Sequence, residues 1–292
     1  MNLEKLIESS LEVLGIESNV KPNVPTDFKE FNNVVGAPIN PENGTPSEIF
    51  DYQEEYERVW NKHHAVILNK SRKIGATETA LRIIAYNCLN GRYQSHQRVM
   101  IIAGNKQEVA NRFIERFVAI FGDGFHDLDG TWWSIDDIII DRKASRIRLF
   151  NNIVIQAYPA SDSVRGEDSV VCVFMSESAF INLVDDSKVY NAVKPNIINI
   201  RNADIVIEST PNGRRGFFHD LWMDKGNEYF KLEQPYTVAL GKLLDRKTIE
   251  AEKTNTRIDF EQEYNCKFST SLSAAFTDVN YIEGTVDDYA NL

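Results

Sequence analysis

The chain has 292 residues, 42% of them hydrophobic and 26% charged, enough to bury a sizeable core in one or two domains. Its formal net charge of −11 speaks against a surface that coats itself in nucleic acid, but leaves room for a local basic patch or a channel formed by several copies. Cys88, Cys172 and Cys266 stand far apart without metal-ligand spacing, which fits a reducing compartment; the acidic N-terminus is no signal peptide, and no apolar run approaches membrane-spanning length.

Leu3, Leu6, Ile7, Leu11 and Leu14 recur at helical spacing, so the first sixteen residues are expected to form a helix with one apolar face. Residues 21–47 hold five of the nine prolines (Pro22, Pro25, Pro38, Pro41 and Pro46) and are expected to run extended over the surface, without regular structure. A helix is predicted over residues 48–64, carrying Phe50, Tyr52, Gln53, Tyr56 and Trp60. Ala65 to Leu68 reads as a buried strand, followed by a polar turn with Gly75 and a helix from Thr77 to Leu89. Strand, glycine turn and helix is the architecture of a phosphate-binding loop, whose backbone N–H groups point at an anion. Against the spelling G-x-x-x-x-G-K-[ST], Gly75 and Thr77 match, Ala76 stands where the lysine belongs, and Lys70 takes the place of the first glycine. An ordinary strand–helix turn with surface lysines fits the same residues.

Arg98 to Ala103 is a second buried strand, and Asn105 to Phe121 an amphipathic helix. Three short strands follow within 136–158, with Asn151-Asn152 a tight turn between the last two. Val170 to Met175 is a continuous apolar run, suited to a central parallel strand, and ends in Ser176-Glu177-Ser178. Asp204 to Glu208 is another, ending in Ser209-Thr210-Pro211-Asn212-Gly213. Two short helical patterns, 245–254 and 257–266, precede a polar tail. Strands alternating with helices, each closing on polar residues, predict an α/β open sheet with its site at the carboxyl ends of the strands. Three such ends matter together: the loop at 70–77, Glu177 and Thr210. Nucleotide hydrolysis needs phosphates held, a metal ion placed, a water oriented by a carboxylate and a group that senses the γ-phosphate.

In this order the segments FDYQEEYERVW, KSRKIGATE, RVMIIAGNKQEVANRF, SVRGEDSVVCVFMSESAF and IESTPNGRRGFFHDLW resemble the ATPase domain of the large terminase subunit, the DNA-packaging motor of tailed viruses. The resemblance covers roughly Phe50 to Phe276. It implies a P-loop NTPase of the ASCE type, a mostly parallel central sheet flanked by helices, with a small C-terminal helical lid. The expected organisation is an N-terminal helix and proline-rich segment (1–47), the ATPase core (48–234) and a lid or linker (235–292). The implied cofactors are ATP and Mg²⁺. Gln53, with Tyr52 before it, resembles the glutamine that reads adenine. Lys70 matches the lysine that some terminases place at the start of the loop, and a lysine's flexible stem can reach the phosphates from there. Arg72 and Lys73 are alternatives for that role, and Ser71, Ile74, Gly75, Ala76 and Glu78 complete the ATP-binding stretch. Thr77 would ligate Mg²⁺, with Ser176 standing where an aspartate is usual and supplying no charge. Glu177 keeps the position of the catalytic base, Arg165 resembles an arginine used near the γ-phosphate, and Thr210 matches the coupling motif. Arg214 and Arg215 are candidates for DNA-phosphate contact.

The implied partners are double-stranded DNA, the portal of a procapsid, a small terminase subunit and further copies in a ring, with no membrane. The implied location is the host cytoplasm or an equivalent reducing compartment, docked on the procapsid during assembly. The family's RNase H-like nuclease would begin where the sequence stops at Leu292, and Asp278, Asp287 and Asp288 alone make no two-metal site, so no nuclease activity is expected in this chain; a separate chain could carry it. Two alternatives remain. Ala76 and Ser176 suit a nucleotide-binding scaffold that hydrolyses poorly, and the glutamine motif suits a helicase-like ATPase.

Overall fold

A computed structural model describes residues 21–40, 43–162, 164–181 and 185–269. The expected N-terminal helix and the aspartates of the tail therefore lie outside the described residues. The proline-rich segment does not run extended throughout: it contains helix α1 (Phe28–Val35), capped by Asp27, whose carboxylate accepts the Glu30 N–H at 2.9 Å. Phe28, Phe31, Asn32 and Val35 follow helical spacing and are buried, so an apolar stripe between prolines outweighed the proline count. Arg82, itself buried, holds this helix by donating to Asn32 Oδ1 at 2.9 Å and to the Gly36 carbonyl at 2.6 Å.

Helix α2 (Asp51–His63) leads into β1 (Ala65–Lys70), and α3 (Ala76–Leu89) follows the loop. Next come β2 (Arg98–Ala103), α4 (Gln107–Ala119), the two-stranded hairpin β3 (Gly124–His126) and β4 (Trp132–Ser134), and the short α5 (Ile135–Ile138). The strands β5 (Ile139–Lys143), β6 (Arg146–Leu149) and β7 (Val154–Tyr158) precede β8 (Val170–Ser176). Helix α6 (Ser187–Val193), β9 (Asp204–Ser209), α7 (Gly216–Met223), β10 (Phe230–Gln234), α8 (Arg246–Thr254) and α9 (Phe260–Glu263) complete the described chain.

The sheet has eight strands in the order β10-β1-β9-β8-β2-β7-β6-β5. From β10 to β7 all pairs are parallel, and β7-β6-β5 form the antiparallel end. Alternation along the strands divides the core in two. Val66, Leu68, Val99, Ile101, Cys172, Phe174 and Val206 face α1 to α4, and Ile67, Met100, Ile102, Val173, Met175, Ile205 and Ile207 face α6 and α7. The central strands are buried on both faces, as their unbroken apolar runs predict. The three cysteines are buried and free. Among the described residues, no helix is long and apolar enough to cross a membrane.

The register fixes which residues share the upper rim. Lys70 pairs with Gln234 of β10, Asn69 with Ser209 of β9, and Ser176 of β8 with Glu208 of β9.

Candidate active site

The loop between β1 and α3 is built on two backbone exceptions. Gly75 caps α3 in the left-handed region at φ 77°, a conformation that glycine adopts without a steric cost. A Cβ there would stand 3.2 Å from both Gln53 Nε2 and Leu243 Cδ1. Lys73, earlier in the loop, is also left-handed and is exposed, as is Arg72. Arg72 turns away from the rim: its N–H donates to the Glu263 carbonyl at 2.9 Å, and its Nε lies 3.1 Å from Glu263 Oε2. Glu78 likewise points along α3, toward Arg82 at 3.0 Å and Arg116 at 3.3 Å. Ser71 is buried, its N–H bound to the Gln234 carbonyl.

Lys70 takes the opposite direction. It closes β1, is buried, and sends Nζ to Glu177 Oε1 at 2.5 Å and to Thr210 Oγ1 at 3.5 Å. Three strand ends that are far apart in sequence thus meet at one ammonium group. Glu177 follows β8 directly, in the left-handed region at φ 52°, which lifts its carboxylate over the rim with 45% of the side chain exposed. Thr210 is buried at the end of β9.

A fourth group belongs to this rim and is invisible to motif reading. Glu208 is fully buried, and its Oε1 accepts the Thr77 hydroxyl at 2.6 Å and the Ser176 hydroxyl at 3.0 Å. Its Oε2 has no hydrogen-bond partner among the described residues. Burial pushes the carboxyl up from the ordinary glutamate range, opposed first by the positive charge of Lys70 and then by the Thr77 hydroxyl. In sequence Glu208 looks like the end of an apolar strand. The signal that could have found it is alternation: with Val206 facing α3, Glu208 must face α3 as well. The donor set at this point, two hydroxyls and a carboxylate with a spare oxygen, is all oxygen and suits a hard divalent cation such as Mg²⁺. Among the described residues no group of three or more His, Cys, Asp or Glu side chains forms a metal cluster.

Tyr52 and Gln53 lie behind the loop. The Tyr52 hydroxyl donates to the Ile74 carbonyl at 2.9 Å, and its ring stacks on Phe50 at 6.1 Å with Lys242 Nζ 5.3 Å from the Tyr52 ring centre. The Gln53 amide is engaged at both ends: Oε1 accepts the Phe50 N–H, and Nε2 donates to Thr79 Oγ1, both at 2.9 Å. Both residues therefore brace the loop. Arg165 is exposed in the turn before β8, its Nε on the Asp162 carbonyl at 3.0 Å. Arg214 and Arg215 are exposed at the start of α7, with Arg214 Nε donating to the Phe268 carbonyl.

The C-terminal segment stitches these parts together. Asn69 Nδ2 donates to the Cys266 carbonyl at 2.8 Å, and Gln262 Oε1 accepts the Gly213 N–H at 2.8 Å. With Arg72 on Glu263 and Arg214 on Phe268, residues 262–268 touch both the end of β1 with the loop after it and the turn after Thr210.

No family model matches the chain. Among solved structures, the large terminase of bacteriophage HK97 is similar at TM-score 0.58 and 12% identity, covering 80% of this chain and 53% of that one. The large terminase of a thermophilic bacteriophage, in complex with ADP, gives TM-score 0.56 at 14% identity, covering 75% of this chain and 53% of that one. A variant of the ATPase domain of the large terminase of Thermus phage P74-26 gives 0.50 at 15% identity, covering 74% of this chain and 93% of that one. The chain thus spans about half the length of the first two proteins and nearly all of the P74-26 domain. Its fold, a mostly parallel sheet flanked by helices, is similar to that of these phage large terminases and of the P74-26 ATPase domain.

Proposed function

We propose that the chain is an ATP-hydrolysing motor of the large-terminase type, which drives double-stranded DNA into a procapsid. The observation that carries this reading is the meeting of Lys70, Glu177 and Thr210 at one point of the rim, 2.5 and 3.5 Å from Lys70 Nζ. Lys70 would leave Glu177 for the β- and γ-phosphates when nucleotide enters, and Glu177, freed, would orient the attacking water. Thr210 would register whether a γ-phosphate is present, and residues 262–268 would carry its movement to the rest of the lid (235–292). Gly75 and the first N–H groups of α3 would cradle the phosphates. Tyr52 and Gln53 would support the base side, and Arg165, exposed, would act near the γ-phosphate. Thr77 would help hold Mg²⁺, which would supply neutralisation of the phosphate charge.

The wider assignment rests on the packaging role of the proteins that share the fold. It comprises a homo-oligomeric ring around duplex DNA, docked on a portal in the host cytoplasm and served by a small subunit. Arg214 and Arg215 would face the DNA phosphates. A ring also accommodates the net charge of −11, since only its lining has to be basic.

The test is steady-state ATP hydrolysis with Mg²⁺, with and without duplex DNA, for the wild type beside Lys70→Ala and Glu177→Gln. Turnover lost on the order of 10²-fold or more in both variants is the expected result. Tight nucleotide binding without turnover, even at concentrations where a ring would assemble, would replace the motor with a nucleotide-binding scaffold.

A further inference from the structure

The acidic strand of this chain ends in Ser176, without the aspartate expected there, and a hydroxyl supplies no charge for a divalent cation. The register puts the missing charge next door. Ser176 and Glu208 are partners on adjacent parallel strands and share the face turned to α3, whose first turn carries Thr77. One carboxylate oxygen of Glu208 accepts both hydroxyls, from Thr77 at 2.6 Å and from Ser176 at 3.0 Å. The other oxygen is buried without a hydrogen-bond partner among the described residues. A fully buried carboxylate with an orphan oxygen is costly in a protein interior and calls for a ligand or a function.

We propose that Glu208 supplies the carboxylate that holds the nucleotide-bound Mg²⁺, directly or through a metal-bound water, so that the acid has moved from β8 to β9. This rests on the ATP-binding reading above. Three features of the geometry fit. Thr77 stands one residue into α3, where a hydroxyl reaches a phosphate-bound cation. The carboxylate is anchored by two hydroxyl donors through one oxygen only, which leaves the second oxygen as the ligand. Lys70, on neighbouring β1, adds positive charge on the side from which the phosphates would arrive, so the rim offers cationic and anionic groups side by side, as a metal–phosphate complex requires.

The experiment titrates a fluorescent ATP analogue in Mg²⁺ and in EDTA, and follows Mn²⁺ by electron paramagnetic resonance with non-hydrolysable nucleotide present. The wild type should bind nucleotide more tightly with metal. Glu208→Gln should keep its affinity in EDTA within about twofold and lose about 10- to 100-fold in metal affinity, the range for groups that set a metal site. Glu208→Asp, which keeps the charge on a shorter stem, should fall between. Ser176→Asp combined with Glu208→Gln returns the carboxylate to β8 and should restore metal binding, which a merely structural Glu208 would not predict. Thermal melts of each variant separate loss of metal from loss of fold. A Glu208→Gln protein that is folded and keeps the metal dependence of the wild type overturns the assignment and leaves the ATPase reading standing. A wild type that binds no nucleotide in either buffer overturns both.

Discussion

Lys70 is a buried lysine whose partner is half in solvent: the Lys70 side chain is 7% exposed and that of Glu177 45%. Water screens such a pair from one side, so its contribution to stability is at most about 1 kcal/mol. Lys70→Ala should therefore lower the stability measured by denaturant unfolding by no more than about 1 kcal/mol, while abolishing turnover. A larger loss would show that the lysine is a structural strut. Glu208 differs because no solvent reaches it and only hydroxyls and one more distant lysine charge compensate it. Of the groups on this rim, Lys70, Thr77, Glu177 and Thr210 were legible in the sequence because each ends or begins an element at a recognisable offset. Glu208 was illegible by motif because its partner Ser176 lies 32 residues away and meets it only through strand register.

At the scale of elements, the C-terminal segment is the unexpected part. The strand β10 pairs in parallel with β1, and its last carbonyl accepts the Ser71 N–H. Its sequence, FKLEQ, reads as polar because an edge strand is covered on one face only, so the apolar signal of the central strands is missing. The helix α1 was obscured for another reason: prolines on both sides masked a short apolar stripe. The long central strands, with α3 and α4 after β1 and β2, were legible to within two residues, since burial on both faces leaves little choice of composition. The helices α6 and α7, after β8 and β9, were not read from the sequence. Gln262 joins α9 to the turn after Thr210. Gln262→Ala leaves the buried Gly213 N–H without its acceptor, which costs about 1–3 kcal/mol. The expected outcome is a stability in urea lowered by that amount at unchanged slope, with stimulation by DNA lost more completely than basal hydrolysis. Equal loss of both would mean that the hydrogen bond serves only the fold.

For the whole molecule, the proposed role on DNA requires an acidic chain to confine its cations. Arg214 and Arg215 stand exposed at the start of α7, where Arg214 donates to the Phe268 carbonyl. Replacing both with alanine should weaken duplex binding similarly for all sequences and make the salt dependence shallower by about 1–2 in slope. An unchanged slope would move the DNA contact elsewhere. The pairing of Ser176 with Glu208 bears on how such a molecule changes over time. Because two adjacent strands offer side chains to the same point, a lineage can shift its acid from one to the other without moving the site. Every route between the two arrangements passes through a chain with either no acid there or two. Two buried carboxylates in contact repel, and none leaves the cation poorly held. Once crossed, such a divide resists single-step reversal, so descendants would share an architecture while their linear motifs drift apart.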